Sequence, residues 1–155
     1  MAGLWFNEFV VGQVFRHEIR RTVTEADNIW FSAMTYNPAQ LHIDYDYAAK
    51  TEFGQPLVNS LFTLGLVIGL SIQDTTLGTT VANLGMTDTV FPKPVFAGDT
   101  IRSETTVKEL RASKSRPGQG IVTFEQVGLN QRGEVVCRTL RNALMLGKPG
   151  SQPEP

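Results

Sequence analysis

The stretch from Pro56 to Ile72 constrains this chain more than any other part of it. Leu57, Val58, Leu61, Phe62, Leu64, Leu66, Val67, Ile68, Leu70 and Ile72 fall on every side of a helical wheel, so the spacing predicts a helix with no polar face. A helix that is apolar all round must be buried all round. Its longest apolar run, Leu61 to Ile72, is too short to cross a bilayer, which needs about 20 residues. In a chain of 155 residues the efficient way to bury it is to wrap a curved sheet around it. Gly65 and Gly69 then read as close packing against that sheet rather than as a membrane pairing motif.

The second half of the chain supplies the strands. Val81 to Phe91, Thr100 to Leu110, Ile121 to Asn130 and Glu134 to Leu146 are rich in Val, Ile, Thr and Phe with partial alternation. Pro117-Gly118-Gln119-Gly120 and Arg132-Gly133 look like hairpin turns, so these strands are expected to be antiparallel. A first strand is expected over Val14 to Arg21. The threonines and acids of Thr22 to Asp27 suit a helix N-terminus. That helix runs to about Met34, with Ile29, Trp30, Ala33 and Met34 at helical spacing, and Asn37-Pro38 ends it. A short helix follows over Tyr45 to Thr51, with Asp44 as its cap. The layout is α+β: one domain over residues 1–146 and a flexible tail over 147–155.

Composition excludes several classes of function. A net charge of -1 gives no footprint for nucleic acid or an anionic membrane. The single cysteine, Cys137, rules out an intramolecular disulfide and fits a reducing cytoplasm; without ligand partners at metal spacing it reads as a buried thiol, and no metal site is expected. The N-terminus, with Glu8 and no basic run, does not read as a secretory signal.

The chemistry is expected around Tyr36-Asn37-Pro38-Ala39-Gln40-Leu41-His42-Ile43-Asp44. Histidine is the side chain whose ordinary pKa lies near neutrality, so a positioned one exchanges protons with a substrate. A lone histidine more often ties down a loop, and His17, in the first strand, is read as solvated or paired. His42 has company. The pattern Asn37…His42-x-Asp44…Tyr47-Ala48-Ala49…Phe53-Gly54-x-Pro56-Leu57-Val58-Asn59-Ser60 resembles the MaoC-like hydratase family, whose members adopt the hot dog fold. A second block, Phe91-Pro92-Lys93-Pro94-Val95-Phe96-Ala97-Gly98-Asp99-Thr100-Ile101, resembles the family's later strand and Gly-Asp turn. The resemblance covers roughly residues 12 to 146.

With His42 held in register, the family's catalytic aspartate falls on Asn37 and its asparagine on Ala39. A register with a two-residue insertion puts Thr35 in that place instead, so the aspartate is absent either way. The family's His-Gly at the helix entrance is replaced by Asn59-Ser60. These departures resemble the mesaconyl-CoA and itaconyl-CoA hydratase branch. The resemblance implies addition or removal of water across a short, branched or dicarboxylic acyl-CoA, with coenzyme A part of the substrate and no separate cofactor. It implies His42 as acid–base, the Ser60 N–H as oxyanion donor, and at least a homodimer with the site near its interface. Asn37 cannot be a base, but its amide can hold a water. Gln40 and Asn59 are candidates for binding a substrate carboxylate, although Asn59 serves equally well as a helix cap. Arg111, Lys114 and Arg116 form either a solvated turn or a cradle for coenzyme A phosphates. A hot dog thioesterase and a non-catalytic acyl-CoA-binding subunit are the rival readings. The thioesterase needs a carboxylate near the helix entrance.

Overall fold

The computed structural model describes residues 3–150, so the expected tail from residue 151 onward lies outside the described residues. Five antiparallel strands form one sheet in the order β1-β3-β4-β5-β2: β1 Val14–Thr22, β2 Thr80–Val90, β3 Thr100–Ala112, β4 Gln119–Leu129 and β5 Val135–Leu146. The two expected hairpins join β3 to β4 and β4 to β5. Between β1 and β2 run α1 (Glu25–Met34), α2 (Gln40–Ile43), α3 (Tyr45–Ala49), α4 (Ser60–Gly69) and α5 (Ile72–Thr75). The sheet curves around α4, which packs on its three central strands. This is the hot dog arrangement that the family resemblance implied.

Two local rules were read correctly. Thr24 caps α1 by accepting the Asp27 N–H, and Asp27 returns the bond to the Thr24 N–H at 2.8 Å. Asp44 caps α3 by accepting the Tyr47 N–H at 2.9 Å. Close packing of α4 on the sheet depends on Gly128, where a Cβ would run into the Val67 side chain.

Two expectations about burial fail, for one reason. A sheet covers only one side of a helix. On α4, Thr63 and Val67 are buried against the strands, whereas Leu61 is 59% exposed and a Cβ at Gly65 or Gly69 would meet nothing. The glycines therefore line the open face instead of packing on the sheet. The helix also starts at Ser60 rather than Pro56, because Leu57 and Val58 use their amides elsewhere: Leu57 N–H donates to Leu41 O and Val58 N–H to Val95 O. On α1 the buried residues are Asn28 and Ser32, while Ile29, Trp30 and Met34 face outward.

The inner face of the sheet holds two apolar clusters. One lies beneath α4, around Val67, Leu70, Ile101 and Val136. The other is closed by the N-terminal segment, where Phe9 meets Phe124 edge-on at 5.3 Å between ring centres. No role for that segment was read from the sequence. A row of polar side chains separates the clusters: Thr105, Gln126 and Thr139 are cross-strand neighbours. Thr105 is bonded to His17 at 2.9 Å, and Thr139 to Thr89 at 2.7 Å. His17 also pairs with Asp74 at 2.8 Å, so it is a buried fastener. Cys137 is buried, and burial pushes its thiol up to about 11. At the chain's far end Lys148 reaches back to Glu8 and Asn7. Among the described residues, no helix is long and apolar enough to cross a membrane.

Candidate active site

The site is built on a connecting segment, Leu57–Asn59, held between α1, α2 and the loop at Val95. Tyr36, at φ 54°, turns the chain out of α1. Asn37 then makes a local turn, its Oδ1 accepting the Ala39 N–H at 3.1 Å. This delivers α2 with His42 as its third residue. The ring Nδ1 lies 2.7 Å from Leu57 O. A carbonyl oxygen only accepts, so Nδ1 carries the proton and Nε2 of the neutral ring carries the lone pair. His42 is thereby held as a base at Nε2.

Asn28, missed in the sequence, holds this arrangement. Its Nδ2 donates to His42 O at 2.9 Å and to Leu57 O at 3.0 Å, and its Oδ1 accepts the Asn59 N–H at 2.8 Å. Each polar atom of one buried amide is spent on fixing the histidine loop against the entrance of α4. The available signal was the Asn28–Ser32 pair, four residues apart and so on one face of a helix. The apolar residues beside it drew attention to the opposite face.

Asn59 is buried and caps α4, its Oδ1 accepting the Leu61 N–H at 3.0 Å. The Ser60 N–H has no partner among the described residues. An unpaired amide on the first turn of a helix carries partial positive charge and suits a developing oxyanion. Ser60 lines a pocket of about 210 Å³ whose walls include Phe53, Leu57, Thr63 and Val136. Among the described residues, Lys93 is its one charged wall and no carboxylate lines it. A second pocket, of about 280 Å³, is lined by Glu25, Asn28, Tyr45 and Pro56. Burial first, and then the negative charge of the nearby Glu25 carboxylate, push the Tyr45 phenol up.

The structure ties His42, from α2, to the carbonyl of Leu57, three residues before Ser60. The other expected residues are more scattered. Gln40 is exposed and donates to Asp44 at 3.3 Å, so both Gln40 and Asn59 are engaged in local structure. Arg111 is the next-to-last residue of β3, and Lys114 and Arg116 lie in the β3–β4 turn. That turn sits beside Leu146 at the far end of β5 from Val136, roughly 30 Å away at about 3.3 Å per strand residue. Within one chain the basic turn does not reach the pocket.

A hot dog domain with a tethered histidine and an open helix N-terminus is the class that these observations define. The chain belongs to the MaoC like domain family, whose model matches residues 7–128. It is 31% identical over 154 residues to a mesaconyl-CoA hydratase of Cereibacter sphaeroides, a match covering 99% of this chain and 44% of that protein. The chain thus spans less than half the length of that relative. It is 34% identical over 109 residues to an (R)-specific enoyl-CoA hydratase of Aeromonas caviae, covering 70% of this chain and 80% of that one. A solved Mycobacterium tuberculosis protein described as a double hot dog fold superposes with a TM-score of 0.87 at 24% identity, over 98% of this chain and 47% of that one.

Proposed function

We propose that the chain is a hydro-lyase that hydrates an enoyl-CoA thioester, or dehydrates a 3-hydroxyacyl-CoA, with a short branched or dicarboxylic acyl group. The observation that carries this reading is the Leu57–Ser60 segment: its carbonyl fixes the His42 tautomer, and its end leaves the Ser60 N–H unpaired beside an apolar pocket.

In the hydration direction His42 Nε2 takes a proton from water as the oxygen attacks the β-carbon. Negative charge moves onto the thioester oxygen, where the Ser60 N–H stabilises it. The imidazolium then returns a proton to the α-carbon, so the ring ends neutral and one water has been added. Asn37 has its Oδ1 committed to Ala39, which leaves its Nδ2–H groups to orient the water. A thioesterase is disfavoured because no described residue of the Ser60 pocket wall is a carboxylate; Glu25 lines the other pocket.

We propose further that the chain acts as a homodimer. Leu61, Gly65 and Gly69 on α4 and Val81, Leu84, Met86 and Val90 on the edge strand β2 are exposed on a single chain. An unpaired, apolar edge strand is a site for pairing with another chain. If β2 pairs antiparallel with its copy, the basic turn of one protomer comes to the end of the joined sheet that carries the other's pocket. That gives Arg111, Lys114 and Arg116 access to coenzyme A phosphates, which one chain alone does not provide.

The test is turnover of crotonyl-CoA and mesaconyl-CoA by the purified protein, following loss of the enoyl-thioester absorbance. Hydration of either supports the reading. Release of free thiol would favour the thioesterase, and binding without turnover the non-catalytic subunit.

A further inference from the structure

Arg141 lies outside the site described above, on the inner face of β5, with Phe124 opposite on β4 and Met86 opposite on β2. It is only 5% exposed, and its Nε–H and Nη1–H have no partner. No carboxylate among the described residues pairs with it; Asp74, on α5, is taken by His17. The polar row of Thr105, Gln126 and Thr139 is itself unfinished, since the buried Gln126 Oε1 also lacks a partner. A guanidinium does not give up its proton in a protein, and a buried one is costly unless an anion compensates it.

We infer that Arg141 is an anion site, binding a carboxylate that no described residue supplies. The ligand is either the free carboxylate of a dicarboxylic acyl group or a carboxylate brought by a second copy of the chain. The first source rests on the proposed hydratase reading, and the second does not.

The experiment compares the full chain with Arg141→Met, which keeps much of the volume and removes the charge. Three quantities are measured: kcat/KM for mesaconyl-CoA against crotonyl-CoA, the thermal shift caused by free mesaconate, and the mass in sedimentation. If the ligand is the acyl carboxylate, the mesaconyl-to-crotonyl ratio falls about 10- to 100-fold, with crotonyl-CoA turnover little changed. Mesaconate then stabilises the wild type and not the variant. If the carboxylate comes from a second copy, the variant sediments as a monomer where the wild type is a dimer. A variant that keeps the ratio, the mesaconate response and the mass, and is as stable or more so, overturns the inference. Wild-type protein that hydrates neither substrate sinks the hydratase reading, while the mesaconate and mass measurements still decide on Arg141. Should Arg141→Met not fold, Arg141→Lys, which keeps the charge but loses the fork, goes through the same three assays.

Discussion

Helices α1 and α4 touch through Phe31 and Phe62, whose rings meet edge-on at 5.8 Å, yet they bury opposite chemistry. α4 turns Thr63 and Val67 to the sheet and is held by apolar contact. α1 turns Asn28 and Ser32 inward, leaves Trp30 and Met34 outside, and is held by a capping box and the three bonds of Asn28. Apolar burial is strong but non-directional, so it fixes how deep an element sits. Hydrogen bonds fix where individual atoms sit. The proton transfer proposed for His42 and the oxyanion contact proposed for Ser60 need the second kind of precision, and Asn28 of α1 supplies it.

The largest expected effect strikes the group that α1 positions. His42→Ala should lower kcat by about two to four orders of magnitude, the usual worth of a general acid–base. Circular dichroism should be unchanged, since His42 belongs to neither apolar cluster. A folded variant with near-normal turnover would make His42 structural and remove the chemical half of the comparison.

Asn28→Ala tests the fastener itself. The His42 carbonyl and the Asn59 N–H would lose the Asn28 amide, and the Leu57 carbonyl one of its two donors, at a cost of about 2–4 kcal/mol in stability. Turnover measured per folded molecule should fall as well, mainly in kcat, because His42 and the α4 entrance lose their common anchor. If denaturant unfolding shows the loss while kcat stays normal, Asn28 supports the fold but does not position the site.

The strands were legible from their Val, Ile, Thr and Phe, their partial alternation and the turns between them. In the structure every second residue from Thr100 to Lys108 and from Gln119 to Leu129 is buried, including polar Ser103 and Thr105. The sequence also carried the caps Thr24 and Asp44, and the candidates His42 and Ser60, each a local pattern. What it hid was placement in space. Leu57 and Val58 continue the apolar run of α4, and only their long-range bonds to Leu41 and Val95 show that they are not helical. Ile29, Trp30 and Met34 share the spacing of a core face, but a spacing says which residues lie together and not which way they point. Arg111, Lys114 and Arg116 cluster in sequence, yet the length of β5 separates them from the pocket.

The packing side of the comparison is probed by Val67→Ala. Val67 is fully buried at the contact with Gly128. Removing its two methyl groups should cost about 1–3 kcal/mol through lost burial and a small cavity. Activity per folded molecule should stay near wild type, in contrast to Asn28→Ala. A kcat loss matching that of Asn28→Ala would show that apolar depth and atomic positioning are not separable here.

The smallest effect belongs on the outer face of α1. Trp30 is 67% exposed, and tryptophan has only an average helix propensity. In a free chain, Trp30→Ala removes little buried area and exchanges one residue for the best helix former. Stability should therefore change by no more than about 0.5 kcal/mol, the usual range for surface substitutions. The same should hold for activity, because Asn28 and Ser32 on the opposite face do the fastening. Unfolding in urea at several protein concentrations checks both points. A loss of about 2 kcal/mol that grows as the protein is concentrated would mean that another surface covers Trp30 in solution. α1 would then be anchored by apolar contact on its outer face as well, and its difference from α4 would lie in which partner covers each helix rather than in the kind of force that holds it.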